Sequence, residues 1–377
     1  MVYIHIPYCR RHCTYCAFYS ELLPKARGSE SCAAGVPDAF VDALVREIAA
    51  EPRLEEFKAV HPTLYLGGGT PSLLSPHQLG RIVKALGRFD YEEFTIEVNP
   101  DDILDGGEKY VRALASCGVN RVSMGIQSLD DRVLHRMGRR HNADGARKAY
   151  DLLLRGGIAN ISVDFIFGFE GNGGSASIRE FIESLPAESR PQHISCYQLG
   201  IDSGSALEKM LDRGLITLPS DDECAAEYAC ICEYLQSRGY DHYEISNWAQ
   251  PGFESRHNSA YWDHTPYIGF GPGAHSLIVS DNVCTRRWNN PDASAYIAAA
   301  SAGDFDSIRG SETLSAEQLR DERVMLCLRT ARGIDPGDVL SGDASRRDFL
   351  EFTPQGRLRI RESSWFVSDS LILQMLD

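Results

Sequence analysis

Three cysteines near the start of the chain, Cys9, Cys13 and Cys16, carry the strongest chemical signal in the sequence. They follow a short apolar run, and their spacing lets three thiolates on one loop converge on a single metal centre. A cluster of four irons bound by three cysteines keeps one iron without a protein ligand, so that iron is free to bind a cofactor or a substrate. The motif therefore predicts a [4Fe-4S] cluster.

Two alternatives to this cluster stay open. The three cysteines together with His12 could form a four-ligand zinc site, although zinc sites usually combine two separated ligand pairs and no second pair is visible. The cysteines could also be unconnected residues of a loop. Another pair, Cys230 and Cys232, lies in a segment with helical spacing, where residues two apart point in different directions. We interpret that pair as structural.

Further polar residues lie where strands are predicted to end. The glycine-rich segment 67–70 follows a strand, and glycines there let backbone N–H groups approach a carboxylate or an amine. Glu97 and Gln127 end the next two strands. Arg139 follows shortly after and could bind a carboxylate with two hydrogen bonds. Asp164 lies within a fifth strand, where a carboxylate is costly unless it is paired. Each alone is more often a salt-bridge or turn residue, but together they predict one shared site.

The elements that must position these residues alternate between strands and helices. The predicted strands are Tyr3–Ile6, Thr63–Leu66, Phe94–Val98, Arg121–Ile126, Ile161–Phe167 and His193–Leu199. The predicted helices are Phe40–Ala50, Pro76–Leu86, Lys109–Cys117, Asp130–Met137, Ala143–Leu154 and Ser177–Leu185. Repeated strand–helix units require parallel strands with right-handed crossovers, which predicts an α/β fold with a partial (β/α)6 barrel. Ligands of such sheets bind at the carboxyl ends of the strands.

The character of the sequence changes after residue 240. Tyr240–Trp288 is rich in turns and aromatic residues, Ser315–Arg332 has the pattern of an amphipathic helix, and the last residues predict a β-hairpin and a terminal helix. We therefore predict a core domain of residues 1–235 and a smaller C-terminal α+β domain of residues 240–377. Glu21–Pro37 has no periodicity and is interpreted as a surface insertion.

Composition narrows the class of protein. The chain has 377 residues, of which 43% are hydrophobic and 24% charged, as is typical of a packed globular protein. The net charge of −15 disfavours nucleic-acid binding, which depends on clustered Lys and Arg. The sequence lacks a long apolar stretch and the features of a signal peptide, and its odd number of cysteines argues against a disulfide framework. We expect a cytoplasmic protein.

The motif C-x3-C-x2-C after the first strand resembles that of the radical S-adenosylmethionine (SAM) superfamily. The segments YIHIPYC, LGGGTPS, EVNP, RVSMGIQSLDDRVLHRMGR and ISVDFIFG resemble its coproporphyrinogen III oxidase-like branch. Within that branch, Phe18 and the segments YEISNWAQPGFESRHNSAYW, GFGPGAHS, MLCLRTARGID and FTPQGRL resemble the HemW family of haem chaperones. One segment departs from the family: GFEGNGGSAS stands where a turn rich in glycine, leucine and proline is usual, so contacts of that loop are not carried over.

The resemblance implies that SAM binds the open iron and that one electron from the reduced cluster splits its sulfonium. It assigns contacts with SAM to Tyr3, Tyr15, Gly68, Gly69, Thr70, Glu97, Gln127, Arg139 and Asp164. It also assigns haem to the HN-x-x-YW signature, which matches His257, Asn258, Tyr261 and Trp262. His257 is the candidate axial ligand because imidazole commonly binds haem iron, and His5, His12 and His275 are further candidates. Aromatic clusters of this kind also seal domain interfaces, and that structural interpretation stays open.

The function that the resemblance implies is that of a haem chaperone, which binds haem and passes it to an acceptor protein. The alternative is an oxygen-independent coproporphyrinogen III oxidase, a radical SAM enzyme that carries a fourth cysteine at the position of Phe18. The phenylalanine favours the chaperone. The implied partners are haem, an acceptor protein and an electron donor that is flavodoxin-like, ferredoxin-like or NADH-linked. Delivery of haem could also involve peripheral contact with a membrane.

Overall fold

The computed structural model describes residues 1–24, 35–170, 173–280, 283–339 and 348–376. Its strands are β1 Val2–Ile6, β2 Tyr8–Cys9, β3 Glu21–Leu22, β4 Thr63–Gly68, β5 Glu93–Val98, β6 Arg121–Gln127, β7 Asn160–Phe167, β8 His193–Gln198, β9 Asp241–Glu244, β10 Asn247–Ala249, β11 Ile268–Phe270, β12 His275–Ser280, β13 Val283–Asn289, β14 Arg309–Thr313, β15 Leu350–Phe352 and β16 Leu358–Ile360.

The helices connect these strands and cover the sheet. They are α1 Asp38–Ala50, α2 Leu54–Val60, α3 Pro76–Leu86, α4 Pro100–Ser116, α5 Asp131–Arg136, α6 Ala143–Arg155, α7 Gly174–Glu183, α8 Ala206–Asp212, α9 Asp221–Ser237, α10 Arg256–Trp262, α11 Ala293–Ala302, α12 Ala316–Cys327 and α13 Ser368–Leu376. Across the described ranges, none of them combines the length and the apolar character that crossing a bilayer requires.

A nine-stranded sheet forms the core, in the order β11-β1-β4-β5-β6-β7-β8-β10-β9. The six predicted strands correspond to β1 and β4–β8, and neighbouring members of this set run parallel. Strand β11 adds a further parallel strand at one edge, whereas β10 and then β9 extend the sheet beyond β8 with antiparallel pairing. The prediction of an α/β fold built on parallel strands is confirmed.

The part of the chain after residue 240 contributes to two structures. Strands β9, β10 and β11 join the nine-stranded sheet, so this sheet extends across the predicted boundary at residues 235–240. The other strands form a small antiparallel sheet, β12-β13-β14, and the hairpin β15–β16, which precedes the predicted terminal helix. The division into two domains stays a prediction. Most of the predicted insertion Glu21–Pro37, residues 25–34, lies outside the described residues.

The two faces of the nine-stranded sheet differ in chemistry. The outer face is covered by amphipathic helices; α6, for example, buries Ala146, Ala149, Tyr150 and Leu153, which recur at intervals of three and four residues. The inner face carries polar residues instead. They are Thr95, Glu97, Arg121, Ser123, Ser162, Asp164, His193 and Ser195. Because polar groups are costly to enclose without partners, this inner face is where a ligand site is expected.

Candidate functional site

The three cysteines lie together on the loop that follows β1. Cys9 and Cys13 are half-buried and Cys16 is exposed. Burial raises the pKa of Cys9 and raises that of Cys16 to about 11, and the neighbouring Cys13 thiol adds to both shifts. Thr70 Oγ1 donates a hydrogen bond to Cys9 Sγ at 3.3 Å, and Arg139 Nη1 donates to Cys13 Sγ at 3.6 Å. Both donors favour thiolates, the form of cysteine that binds metals.

Distant parts of the chain hold this loop in place. The backbone N–H of Thr14 donates to the Met137 carbonyl at 3.1 Å, and the Thr14 carbonyl accepts from the Leu207 N–H at 2.9 Å. Further along, the Tyr19 carbonyl lies 3.0 Å from Nε2 of His5. The cysteine loop is therefore fixed by contacts with three other segments.

The donor set fits a cluster better than a single ion. Among the residues that the structure describes, no three His, Cys, Asp or Glu side chains converge tightly enough to hold one metal ion. His12, the fourth ligand of the zinc alternative, is exposed, and its Nδ1 lies 3.4 Å from Ser20 Oγ. A four-iron cluster is larger than one ion and binds each thiolate at a different iron, so it accommodates thiolates that lie further apart.

The glycine-rich segment after β4 packs tightly against the first strand. Gly68 has a φ of +110°, and a Cβ there would lie 2.6 Å from the imidazole of His5. At Gly69, a Cβ would lie 2.7 Å from the carbonyl oxygen of Tyr8. Only glycine allows this approach, which brings Thr70 to Cys9.

Two carboxyl groups face the interior of the sheet. Glu97 accepts hydrogen bonds from Tyr65 Oη at 2.8 Å and from the Gly68 N–H at 3.2 Å, and burial raises its pKa to about 7. Asp164 accepts from the hydroxyls of Ser123 at 2.9 Å and Ser162 at 3.1 Å, and burial raises its pKa as well. Both side chains stay partly exposed, so they border an open space.

Arg139 lies between this space and the cysteines. Its Nη2 donates to Asn99 Oδ1 at 2.5 Å and to the Gly125 carbonyl at 2.7 Å. Its Nε is buried and has no partner in the described residues, so it can donate to a bound ligand. Gln127 is nearby and has a φ of 69°, a left-handed conformation that is strained for a residue other than glycine and is typical of binding sites.

Two tyrosines complete the set predicted to contact SAM. Tyr15 is half-buried, and the charges of Arg139 and Cys13 act on its hydroxyl, whose pKa is raised chiefly by burial. Tyr3 stacks on Tyr65 with ring centroids 6.2 Å apart, and its hydroxyl lies 3.0 Å from His5 Nδ1. The predicted residues are thus gathered on the inner face of the sheet or at its carboxyl ends.

Several residues of this space were missed in the sequence analysis. Asn99 donates to Thr70 Oγ1 at 3.2 Å as well as accepting from Arg139, so it links the two donors of the cysteine loop. Ser123 and Ser162 are paired in register, as are Asp164 and Ser195. Small polar residues at matching positions of three apolar strands were the available signal, because such residues have no reason to face a packed core.

The HN-x-x-YW signature lies at the opposite end of the sheet. His257 is fully buried. Its Nδ1 lies 2.8 Å from Thr63 Oγ1 and its Nε2 lies 3.2 Å from Tyr261 Oη, so both ring nitrogens have partners. The prediction that His257 is an axial ligand of haem therefore carries a structural condition: an iron atom reaches the ring only if α10 moves away and these two hydrogen bonds break.

The rest of the signature shows why α10 occupies this position. Glu93, the first residue of β5, accepts hydrogen bonds from the N–H groups of Arg256 at 2.8 Å and His257 at 3.0 Å. A carboxylate at a helix N-terminus is stabilising. The signature residues Tyr261 and Trp262 contact Tyr267 and Cys327, respectively, and Asn258 donates its N–H to Ser255 Oγ at 3.3 Å. Helix α10 therefore closes the amino end of the sheet.

The fold and the cysteine loop define the class of protein. Residues 3–182 match the model of the radical SAM superfamily. A solved structure of coproporphyrinogen III oxidase (HemN) from Escherichia coli, a radical SAM enzyme, aligns with a TM-score of 0.73 and 19% identity, covering 100% of this chain and 89% of that one. The chain is a radical SAM protein, and membership of that superfamily implies a [4Fe-4S] cluster and SAM.

Comparison with curated proteins identifies the family within this class. The heme chaperone HemW of Lactococcus lactis subsp. lactis (strain IL1403) is 33% identical over 337 residues, which cover 88% of this chain and 82% of that protein. The heme chaperone HemW of Bacillus subtilis (strain 168) is 30% identical over 339 residues, which cover 88% and 84%. The chain belongs to the HemW family.

Proposed function

We propose that this protein binds haem and transfers it to an acceptor protein, and that it carries a [4Fe-4S] cluster that binds SAM. The observation that carries the proposal is the similarity to HemW proteins along 88% of the chain, including the parts outside the radical SAM core. The polar inner face of the sheet supports it, because that face carries hydrogen-bonding groups beside the cysteine loop and solvent reaches Glu97 and Asp164.

The cluster and SAM supply one-electron chemistry when they are bound, and the chain supplies positioning. In the proposal, Cys9, Cys13 and Cys16 hold the cluster, while Thr70 and Arg139 donate hydrogen bonds to two of the thiolates. Residues of the inner face hold SAM. Carboxylates accept from its amine and hydroxyl groups, and guanidinium and backbone N–H groups donate to its carboxylate. The residues proposed to do so are Tyr3, Tyr15, Gly68, Gly69, Thr70, Glu97, Gln127, Arg139 and Asp164.

An electron donor is also part of the proposal, and charge indicates where it docks. A small cavity beside Cys13 is bordered by the exposed residues Arg10, Arg11 and Arg140. Asp101 and Asp102 also line it, and Asp102 is paired with Arg10, so with Arg139 the arginines still outnumber the carboxylates. This cluster of positive charge lies on a chain whose net charge is −15. An acidic flavodoxin-like or ferredoxin-like donor would be steered to this side, next to the cysteines. An NADH-linked electron donor and a peripheral contact with a membrane stay predictions from the sequence.

The alternative function is that of a coproporphyrinogen III oxidase. The test is anaerobic reconstitution of the full chain, followed by separate measurements of haem binding and of coproporphyrinogen III turnover with SAM and a reductant. We expect about one haem per chain and no conversion of the porphyrinogen. Robust formation of protoporphyrinogen would overturn the proposal in favour of the oxidase.

Transfer is tested separately from binding. Haem-loaded protein is mixed with an excess of apomyoglobin, and the rate of haem loss is compared with and without SAM and a reductant. A chaperone is expected to hold haem tightly against this trap until its cofactors or its acceptor trigger release. Immediate loss of all haem under every condition would show a weak binder rather than a chaperone.

A further inference from the structure

One exposed imidazole lies on a sheet face next to an aromatic ring. His275 is exposed at the start of β12 and is paired in register with Trp288 of β13. The two rings stack with centroids 6.0 Å apart and an interplanar angle of 25°. Neither nitrogen of the His275 ring has a hydrogen-bond partner among the residues that the structure describes. This imidazole is therefore free to bind a metal.

The indole of Trp288 forms a flat surface beside it. On the neighbouring strand β14, Gly310 is paired with Trp288, and a Cβ at this glycine would lie 2.3 Å from the indole ring. The absence of a side chain at Gly310 lets the indole lie flat across the sheet. A flat apolar surface next to a free imidazole is what a haem macrocycle requires, because iron needs the ligand and the porphyrin face needs apolar contact.

His275 also lies on the face that leads to the open interior. Tyr3 on the inner face is paired with Gly269 of β11, and Tyr267, the residue before β11, is two positions from Gly269 and lies on the same side. Tyr267 is bridged to Leu277, and Leu277 is two residues from His275 on the same side of β12. The inner face of the sheet thus extends from β1 through β11 to β12, where His275 lies.

The other exposed histidines lack this setting. They are His12, His77 and His135. His12 is within the cysteine loop, whereas His77 and His135 lie on helices α3 and α5. Among the described residues, a ring contact with an aromatic side chain is found for His275 but for none of these three. His257, the histidine of the signature motif, is buried with both nitrogens engaged.

We propose that His275 binds the iron of haem and that Trp288 packs against the macrocycle, at the edge of the open interior. This inference rests on the proposed function, since it names the site at which the chaperone holds its cargo. Haem would then sit on the side of the sheet that also carries the cluster, rather than at α10.

The test compares single variants of the full, cluster-loaded chain by anaerobic haem titration, with difference spectra against the haem-free protein. His275→Ala is expected to lose the spectrum of an imidazole-ligated iron and to weaken haem binding by roughly 10-fold or more, whereas the matched control His77→Ala keeps both. In His275→Gly, added imidazole is expected to restore the spectrum. Trp288→Leu is expected to weaken binding while the iron signature stays that of an imidazole complex.

Two results would overturn the inference, and they are distinguishable. If the wild-type chain binds haem and His275→Ala retains its spectrum and affinity, the ligand lies elsewhere and the chaperone proposal stands. If the wild-type chain binds no haem, both the proposed function and this site are wrong.

Discussion

The two ends of the parallel sheet differ in whether their polar side chains already have partners. At the carboxyl ends, Cys16 is exposed, Phe18 is 74% exposed, and Arg139 keeps a buried Nε without a partner in the described residues. At the amino ends, His257 is fully buried and has partners at both nitrogens, and Glu93 accepts hydrogen bonds from the start of α10. One end is open and has unused donors; the other is closed by α10.

This difference shows that a side chain in a motif is available to a ligand only if its polar atoms have no hydrogen-bond partner within the protein. A histidine with two short hydrogen bonds inside a packed core stabilises the fold, because freeing it would leave its partners unsatisfied. An exposed histidine with free nitrogens, such as His275, contributes little to the fold and is available to a ligand. The predictions below separate these roles, from the largest expected effect to the smallest.

Replacing Cys9, Cys13 and Cys16 together by Ala should remove the cluster and leave the fold intact. Reconstituted wild-type protein should hold about four irons and four sulfides per chain, and the triple variant should hold almost none. Iron and sulfide analysis measures the loss, and circular dichroism measures the fold. As a matched control, Cys230→Ala/Cys232→Ala should keep the full iron content. Full retention of iron in the triple variant would place the cluster ligands elsewhere.

His257→Ala should have the opposite effect: it should destabilise the fold and leave the iron content of the protein unchanged. Removing this ring opens a cavity and leaves the hydroxyls of Thr63 and Tyr261 without a partner, which should lower the free energy of unfolding by about 3 kcal/mol. Denaturant unfolding of the apo-protein measures the change. His77→Ala, at an exposed position of α3, should change it by less than about 0.5 kcal/mol. Wild-type stability in His257→Ala would show that the amino end is not closed as described.

Glu244 is a carboxyl group that is buried, in contrast to the partly exposed Glu97 and Asp164. It accepts a hydrogen bond from the Ser246 N–H at 3.1 Å and another from Asn247 Nδ2. Burial raises its pKa from 4.5 to about 7. The stabilising contribution of the protonated form is complete below pH 4.5 and is lost as the pH rises through 7, so the folded state becomes less stable towards alkaline pH.

Glu244→Gln keeps the acceptor but cannot ionise. Between pH 5 and 8, the wild type should lose as much as about 3 kcal/mol of unfolding free energy relative to this variant. Unfolding curves across the pH range measure the difference, with the exposed Glu188→Gln as control. Parallel pH profiles for wild type and Glu244→Gln would mean that this carboxyl group is ionised throughout.

At the open end, Arg139→Ala and Asp164→Asn should each weaken SAM binding by roughly 1–3 kcal/mol, the usual loss for a charged hydrogen bond. Titration of the reduced cluster with SAM, followed by electron paramagnetic resonance and normalised to iron content, measures the affinity. Arg140→Ala, at the exposed neighbouring position, should leave the affinity unchanged. If neither substitution changes the affinity for SAM, Arg139 and Asp164 do not contact SAM and have a structural role.

The sequence predicted the regular part of the fold closely. Thr63–Leu66 corresponds to β4, which extends to Gly68, and Pro76–Leu86 is α3 without change. Patterns of four or more residues carry a periodic signal that is local, so they can be recognised without the rest of the chain. The helix predicted from Lys109 in fact begins at Pro100, because Gly106 and Gly107, the latter with a φ of 60°, interrupt its apolar spacing.

The parts that escaped prediction depend on distant partners. Strands β10 and β11 have three residues each, too few for any periodicity to appear. The burial of His257 follows from Thr63 and Glu93, which precede it by more than 160 residues. The helix predicted as Ser315–Arg332 ends at Cys327, because the backbone of Arg329 is hydrogen-bonded to Ile245 beside β9. Such long-range pairing leaves no trace in a local pattern.

The pairing of β1 with β11 has a consequence for the protein's synthesis. Val2 is partnered by Ile268, so one edge of the strand that leads into the cysteine loop stays unpaired until the roughly 260 residues that separate the two strands have been synthesised. At about 5–20 residues per second, this delay is roughly 15–50 s. An unpaired strand edge is a template for aggregation, and beside it three thiols are open to oxidation for the same interval. If the chain carries the proposed cluster, we expect protection of the nascent chain to raise the yield of cluster-loaded protein, and cluster insertion to be most efficient after β11 has docked.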